Sequence, residues 1–265
     1  MTRSPVPRFD LIDLSQYLHV GVQYSRGCPF NCEFCDIIEL YGRKPRTKTS
    51  EQMLRELDAL LAAGYRGHVD FVDDNLIGNK KALKGFLPEL KRWQQEHRYP
   101  FEFSTEATIN LADDAELMQQ MQEASFFAIF VGIESPDTDT LVGMQKQQNT
   151  RRSLVESVHK IHRHGIFVNA GFILGFDTEK GSVASPMIEY IEASSIPVCM
   201  VGLLYALPNT QLTRRLHGEG RLFPNHDAVQ SDDDADQCTS GLNFETTRPR
   251  GERAQGLPER AEGDL

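Results

Sequence analysis

Three of the five cysteines in the 265-residue chain lie within eight residues, at Cys28, Cys32 and Cys35 of the segment SRGCPFNCEFCDI. Cysteine thiolates bind zinc and iron–sulfur clusters. A structural zinc site needs a fourth ligand, and the other two cysteines, Cys199 and Cys238, are isolated in the sequence. Thioredoxin-type redox chemistry needs only C-x-x-C and would leave Cys28 without a role. Three thiolates suit a [4Fe–4S] cluster that keeps its fourth iron open to a ligand.

Composition and charge narrow the class of protein. Hydrophobic residues make up 40% and charged residues 25% of the chain, as in soluble globular proteins. The net charge of −10 makes nucleic acid an unfavourable partner. No run is apolar for long enough to predict a transmembrane segment, and the N-terminus lacks the apolar region of a secretory signal. An odd number of clustered cysteines does not predict a disulfide framework, so we expect a cytoplasmic location.

Six short apolar runs predict β-strands, and amphipathic stretches between them predict helices. The strand runs are 18–24, 68–74, 101–107, 126–133, 166–175 and 198–207. They are almost continuously apolar, which is typical of a parallel sheet covered on both faces. We therefore predict an α/β fold, a partial (β/α)6 TIM-like barrel with parallel strands. Ligands of such folds bind at the C-terminal ends of the strands.

Capping residues mark the expected helix starts. These caps are Thr49 with Gln52, Asn79, Asp113 with Glu116, and Thr150. Pro88 is expected to kink or divide the second helix. Three regions follow: a lead-in at 1–16, a core domain at 17–222, and an acidic, polar tail at 223–265, which we expect to be truncated or disordered.

The cysteine spacing C-x-x-x-C-x-aromatic-C, with Phe34 at the aromatic position and a strand before it, resembles that of the radical S-adenosylmethionine (SAM) superfamily. The resemblance implies that Cys28, Cys32 and Cys35 bind a [4Fe–4S] cluster. It also implies that the open iron binds the amino and carboxylate groups of SAM. Reductive cleavage of SAM would then give a 5′-deoxyadenosyl radical for hydrogen abstraction from an organic substrate. An electron donor such as flavodoxin or ferredoxin is implied as a partner.

Polar residues and a glycine at the strand ends resemble the SAM-binding motifs of the same superfamily. Asp73 and Asp74 in FVDDN stand where the SAM amino group binds, and Glu134 in VGIES resembles the ribose-contacting residue. Glu106 in STEA and Gly175 in AGFILGFDTE are further candidates, Gly175 for close approach of adenine. Each has a structural alternative: turn residues for the aspartates and Gly175, and structural or surface-paired carboxylates for the two glutamates.

Taken together, RGCPFNCEFCDI, GIESPD and LPNTQL resemble the cobalamin-binding, hopanoid-methylase-like branch of the superfamily. That resemblance implies methyl transfer to an unactivated carbon of a small, lipid-like substrate. Only about 20 residues precede the first predicted strand, so we expect this chain to lack the N-terminal cobalamin domain. The alternatives are a non-catalytic cluster-binding fragment, a radical SAM enzyme of methylthiotransferase type, and a zinc-binding interaction module.

Overall fold

Residues 1–224 and 242–247 are described by the computed structural model of the chain. Six parallel strands form one sheet in the order β1-β4-β5-β6-β7-β8. They are β1 (His19–Val22), β4 (Gly67–Phe71), β5 (Phe101–Glu106), β6 (Phe126–Glu134), β7 (Phe167–Leu174) and β8 (Val198–Leu203). The short strands β2 (Ser25–Arg26) and β3 (Arg46–Thr47) form a separate antiparallel pair.

Helices occupy the connections between the strands. They are α1 (Ile37–Leu40), α2 (Ser50–Ala62), α3 (Lys80–Glu96), α4 (Ala115–Glu123), α5 (Thr138–Gly143), α6 (Leu154–Arg163), α7 (Ala184–Ser194) and α8 (Gln211–Gly218). The prediction of an α/β fold with six parallel strand–helix units is confirmed. Among the described helices, none is long and apolar enough to cross a membrane.

The two faces of the sheet differ because side chains alternate along each strand. Val69, Phe71 and Phe103 are fully buried on the face that the helices cover. Asp70 and Ser104, which alternate with them, lie on the opposite, inward face and pair in register across β4 and β5. Strands β1 and β8 are the two edges of the sheet, so the barrel is open between them.

Two of the expected helix caps are confirmed. Thr49 and Gln52 form a capping box on α2, and the Asn79 side chain accepts from the amide of Ala82 on α3. Of the two effects predicted for Pro88, a kink or a division of the second helix, division does not occur, since α3 runs through the proline unbroken. The buried stripe that includes Leu87 and Leu90 packs the helix on both sides of the proline, which offsets the lost hydrogen bond.

The other two caps lie elsewhere than predicted. Asp114 caps α4, whereas Asp113 ends a preceding 3-10 turn and pairs with Arg152 at 2.8 Å. Ser153 caps α6, whereas the Thr150 hydroxyl donates to the carbonyl of Gln147. In both cases an extra short turn displaces the cap from the predicted position.

Residues beyond the predicted end of the core at 222 also pack on it. Phe244 is buried and forms an antiparallel bridge with Leu222. The Asn243 side chain accepts from the amide and donates to the carbonyl of Ala206, at 2.9 and 3.0 Å. Cys238 and most of the predicted tail lie outside the described residues.

Candidate active site

The three clustered cysteines lie on the loop that follows β1 and β2. Gly27 enters this loop with φ +97°, and a Cβ there would lie 2.8 Å from the carbonyl oxygen of Gly42. Only glycine fits that conformation and that approach. The amide of Cys28 donates to the same carbonyl at 3.3 Å, and the amide of Cys35 donates to the carbonyl of Cys32 at 3.2 Å. The loop is therefore folded back on itself by its own backbone.

The thiols are free and largely removed from water. Cys32 is buried, and Cys28 and Cys35 are half-buried. Burial raises the pKa of the Cys28 thiol and raises the pKa of Cys35 to about 12, and the neighbouring cysteine sulfurs add to both shifts. Without a cation these two groups are protonated at neutral pH, so binding iron there must release protons.

Two side-chain amides donate to the cysteine sulfurs from distant parts of the chain. Asn75 Nδ2 lies 3.7 Å from Cys28 Sγ, and Gln148 Nε2 lies 3.6 Å from Cys32 Sγ. Donors of this kind stabilise thiolate sulfur and tune the potential of a cluster.

Among the described residues no group of three side chains is arranged to hold one metal ion. A [4Fe–4S] cluster does not require three side chains around one metal ion, because each thiolate binds a different iron. The donor set fits a cluster better than a single zinc ion.

Glu134 ends β6 in an ion pair with Lys146. Lys146 Nζ lies 2.6 Å from Glu134 Oε1, and both side chains are buried. Burial alone would lower the pKa of Lys146, but Glu134 and the sulfurs of Cys32 and Cys35 raise it. The lysine is therefore a buried positive charge beside the cysteine loop.

The backbone around Glu134 is specialised. Glu134 itself has φ +65°, in the left-handed region that costs a non-glycine residue free energy and is often found at functional sites. A Cβ on Gly132 would collide with the Glu134 carboxylate and lie 2.9 Å from Lys146 Nζ. The Asn149 side chain donates to the carbonyls of Gly132 and Ile133 at 3.1 and 3.0 Å.

Asp73 is fully buried and directs both carboxylate oxygens at the chain just before the cysteine loop. It accepts from the amides of Tyr24 and Ser25 and from the Ser25 hydroxyl. Burial raises the pKa of Asp73 to about 6, against the opposing effect of these hydrogen bonds. Its contacts therefore fix the chain between β1 and the cysteine loop, and the SAM contact expected of Asp73 from sequence stays a prediction.

Asp74 and Glu106 are carboxylates that lie just after β4 and at the end of β5. Asp74 Oδ2 is buried without a hydrogen-bond partner among the described residues, which fits an incoming ammonium group. Glu106 has its side chain exposed within the open barrel. The atoms surrounding it, followed by the charges of Asp74, Asp70 and Asp73, raise the pKa of Glu106 to about 7.

Gly175 begins the turn after β7 with φ +109°. The space where its Cβ would lie is filled by Leu242 at 2.9 Å and Leu204 at 3.6 Å. Glu179 Oε1 accepts from the amides of Gly175 and Phe176 at 2.8 and 3.2 Å and so fixes the turn.

Phe34 lies between these parts of the site. Its ring centroid is 6.0 Å from that of Phe176 and 5.8 Å from Lys146 Nζ. Next to Glu134, a cavity of about 300 Å³ opens at the ends of β6 and β7, with Ser135, Ile173 and Thr178 among its lining residues.

Sequence reasoning missed the residues that contact the cysteines from elsewhere. Asn75 stands in a segment interpreted as a turn, and Lys146 and Gln148 stand in a stretch without a recognisable pattern. No local signal would have found them, because their role depends on tertiary contact. Asn209, in the turn before α8, adopts φ +63°, a left-handed conformation that asparagine tolerates.

Comparison with known proteins identifies the family. The sequence profile of the radical SAM superfamily matches residues 22–190. The chain is 51% identical over 249 residues to an uncharacterized methyltransferase of Synechocystis. The match covers 94% of this chain and 45% of that protein. It is 47% identical over 222 residues to the hopanoid C-2 methylase of Rhodopseudomonas palustris, covering 84% of this chain and 42% of that protein. The chain therefore spans less than half the length of these curated relatives.

A solved structure supports the fold. The chain superposes with a TM-score of 0.70, at 17% identity, on the radical SAM methyltransferase TsrM of Kitasatospora setae, which was solved with cobalamin and a [4Fe–4S] cluster bound. The superposition covers 82% of this chain and 43% of that one. The profile match confirms the predicted family, whose cofactors are a [4Fe–4S] cluster and SAM, and this chain belongs to the radical SAM superfamily.

Proposed function

We propose that the chain is the catalytic core of a radical SAM methyltransferase, with Cys28, Cys32 and Cys35 holding the cluster. One observation carries the proposal. Three free thiols, an unsatisfied Asp74 oxygen and the Glu134–Lys146 pair all lie in the segments that follow the C-terminal ends of the strands. When bound and reduced, the cluster supplies the electron that cleaves SAM to methionine and a 5′-deoxyadenosyl radical.

The side chains divide the contacts to SAM. Asp74 Oδ2 accepts from the SAM ammonium group, because a carboxylate pairs strongly with a charged donor. Glu134 keeps one oxygen on Lys146 and offers the other to the ribose hydroxyls. Lys146 balances the negative charge that the thiolates and Glu134 bring together. Phe34 and the turn at Gly175 flank the adenine.

The inward face of the barrel supports a lipid-like substrate. Phe167, Val198 and Met200 lie on the inward face of β7 and β8, in the N-terminal halves of these strands, with 59%, 53% and 61% of their surface exposed. Such a concentration of exposed apolar side chains is characteristic of a binding surface. The opposite wall, on β4 and β5, is polar and acidic, with Asp70 and Glu106. A mainly apolar molecule with a hydrogen-bond donor at one end fits both walls.

Methyl transfer and its partners belong to the same proposal. The curated relatives are named as a methyltransferase and a hopanoid methylase, and the chain shares their sequence over most of its length. We infer that the methyl group comes from a cobalamin, and that a flavodoxin or ferredoxin donates the electron. Free thiols at the site favour a reducing compartment, the cytoplasm.

The decisive experiment measures SAM cleavage. The protein is reconstituted anaerobically with iron and sulfide, reduced, and mixed with SAM, and 5′-deoxyadenosine is quantified. We expect product from the wild type and from Cys199→Ala, and none from Cys32→Ala. A cluster without SAM cleavage would favour the non-catalytic fragment, and zinc without sulfide would favour the interaction module.

The substrate surface is tested with two matched valines. Val198 on the barrel wall and Val142 on the outer helix α5 are 53% and 52% exposed. We expect Val198→Lys to weaken binding of a labelled hopanoid in mixed detergent micelles, and Val142→Lys to leave it unchanged. Equal binding by both variants would contradict a lipid-like substrate on this wall.

A further inference from the structure

We propose that Arg215, on α8, is a positioning residue that locks the cysteine loop to the turn after β7 and thereby sets the affinity for SAM. The proposal rests on the function proposed above. It assigns a role in the site to a residue that stands 182 positions from its partner in the cysteine loop.

The partner is Glu33, which lies between the second and third thiols of the loop. Its amide donates to the carbonyl of Met144 at 3.0 Å, and its carbonyl accepts from the amide of Leu212 at 2.9 Å. The Glu33 side chain is only 11% exposed. The peptide that joins Cys32 to Phe34 is therefore held from two sides before its side chain is considered.

Two guanidinium nitrogens of Arg215 donate to the Glu33 carboxylate. Nε lies 2.5 Å from Oε1, and Nη2 lies 3.3 Å from Oε2. A two-pronged contact of this kind fixes orientation as well as distance. Glu33 is flanked by Cys32 on one side and by Phe34 and Cys35 on the other, so its contacts anchor the backbone that carries two of the three thiols.

The same guanidinium reaches the turn after β7. Arg215 Nη1 lies 3.0 Å from Asp177 Oδ2, and Arg221 holds Asp177 from the other side at 2.6 and 2.9 Å. Asp177 directly follows Gly175 and Phe176, whose amides Glu179 fixes. One arginine thus joins the loop that would carry the cluster to the turn that would flank adenine.

A neighbouring pair provides the comparison. Arg214, on the same helix, contacts Glu39 at 2.7 Å, but those side chains are 57% and 33% exposed. Exposed pairs of that kind contribute little to stability. In the part of the chain that the structure describes, the Arg214 side chain bonds to Asn209 and Glu39 and to no residue between the thiols, so it is a matched control for the loss of one arginine.

The test compares Arg215→Met, Arg215→Lys, Glu33→Gln and Arg214→Met after anaerobic reconstitution. Iron and sulfide per folded chain are measured first. The reduced cluster is then titrated with SAM, and the change in its electron paramagnetic resonance spectrum gives the half-saturating concentration. These measurements do not depend on turnover.

We expect Arg215→Met to raise the half-saturating SAM concentration about tenfold, which corresponds to about 1.4 kcal/mol, the scale of one hydrogen bond to a charged group. Glu33→Gln should give a similar rise, and Arg215→Lys a smaller one. A double variant with Arg215→Met and Glu33→Gln should raise the half-saturating SAM concentration little more than either substitution alone. Both substitutions remove the same Arg215–Glu33 contact, so their effects should not add. Arg214→Met should bind SAM as the wild type does.

Equal SAM binding by Arg215→Met and Arg214→Met would overturn the inference. So would additive effects in the double variant, or a loss of cluster in Arg215→Met with Glu33→Gln unchanged. If Arg215→Met does not fold, Glu33→Gln and Arg215→Lys decide the question by the same criteria. A wild-type chain that assembles no cluster would instead overturn the proposed function and this inference with it.

Discussion

Replacement of Glu134 by glutamine tests the electrostatic reasoning about the site without any cofactor. The variant keeps the size of the side chain and removes its charge. Lys146 then remains buried beside the cysteine loop without its carboxylate partner. We expect a large loss of stability from a change of a few atoms.

The magnitude follows from the burial of the pair. The Lys146 and Glu134 side chains are 9% and 8% exposed, and their charged atoms lie 2.6 Å apart. Removing one member of a buried ion pair costs about 3–5 kcal/mol, because the remaining charge stays uncompensated. The glutamine still offers an acceptor oxygen to Lys146 Nζ, so we expect a value near the lower end, about 3 kcal/mol.

The assay is urea unfolding of the cofactor-free chain in a double-variant cycle. Lys146→Met alone should also cost about 3 kcal/mol, since it leaves the carboxylate unpaired. The combined Glu134→Gln/Lys146→Met variant should lose much less than the sum, with a coupling free energy of at least about 2 kcal/mol. Leu61→Ala, on α2, is the control. Combined with Glu134→Gln, its loss of stability should simply add to that of the Glu134 variant.

Additive losses would refute the reasoning. A Glu134→Gln variant within about 0.5 kcal/mol of the wild type would do the same, because that is the range of ordinary surface substitutions. Either result would mean that water reaches the pair and that Lys146 is not a buried charge at the site.

Three further predictions concern neighbouring residues. Gly132→Ala should weaken SAM binding and lower the unfolding midpoint, because its Cβ would displace Glu134; unchanged SAM titration would contradict this. Asn75→Ala and Gln148→Ala should each lower the reduction potential of the reconstituted cluster in a redox titration, since each loses a donor to sulfur. The raised pKa of Glu106, about 7, means that folding loses stability as pH rises from about 4.5 through 7. Glu106→Gln should therefore raise the unfolding midpoint at pH 8 and change it little at pH 4, and an equal shift at both values would exclude a perturbed carboxyl.

The strands and most helices could be predicted because their signals are local. An apolar run such as 126–133 is enough to predict a buried strand, and the Thr49–Gln52 capping box is contained in four consecutive residues. Predictions failed where a longer-range choice decided the outcome. Asp113 and Thr150 both have side chains that can cap a helix, but each belongs to a neighbouring short turn. Asp114 and Ser153 are the N-cap residues instead.

The same distinction between local and long-range signals applies to the residues of the site. The three cysteines could be recognised from their spacing, because one loop supplies all of them. Asp73 could be placed at the end of β4, but its full burial against Tyr24 and Ser25 depends on how β1 and β4 pair. Lys146 could not be linked to Glu134 at all, since nothing in the intervening sequence shows that the chain returns to the strand end.

The distant contacts to the cysteine loop also explain how the open barrel is held at its active edge. Strands β1 and β8 share no hydrogen bonds, so the sheet itself leaves a gap between its first and last units. Glu33, on the loop after β1, crosses that gap to Leu212 and Arg215 on α8, which follows β8. Contact across the gap therefore takes place in the loops at the C-terminal ends of the strands. That arrangement fixes the geometry around the thiols, because the loop that carries them is held by a helix at the other end of the sheet.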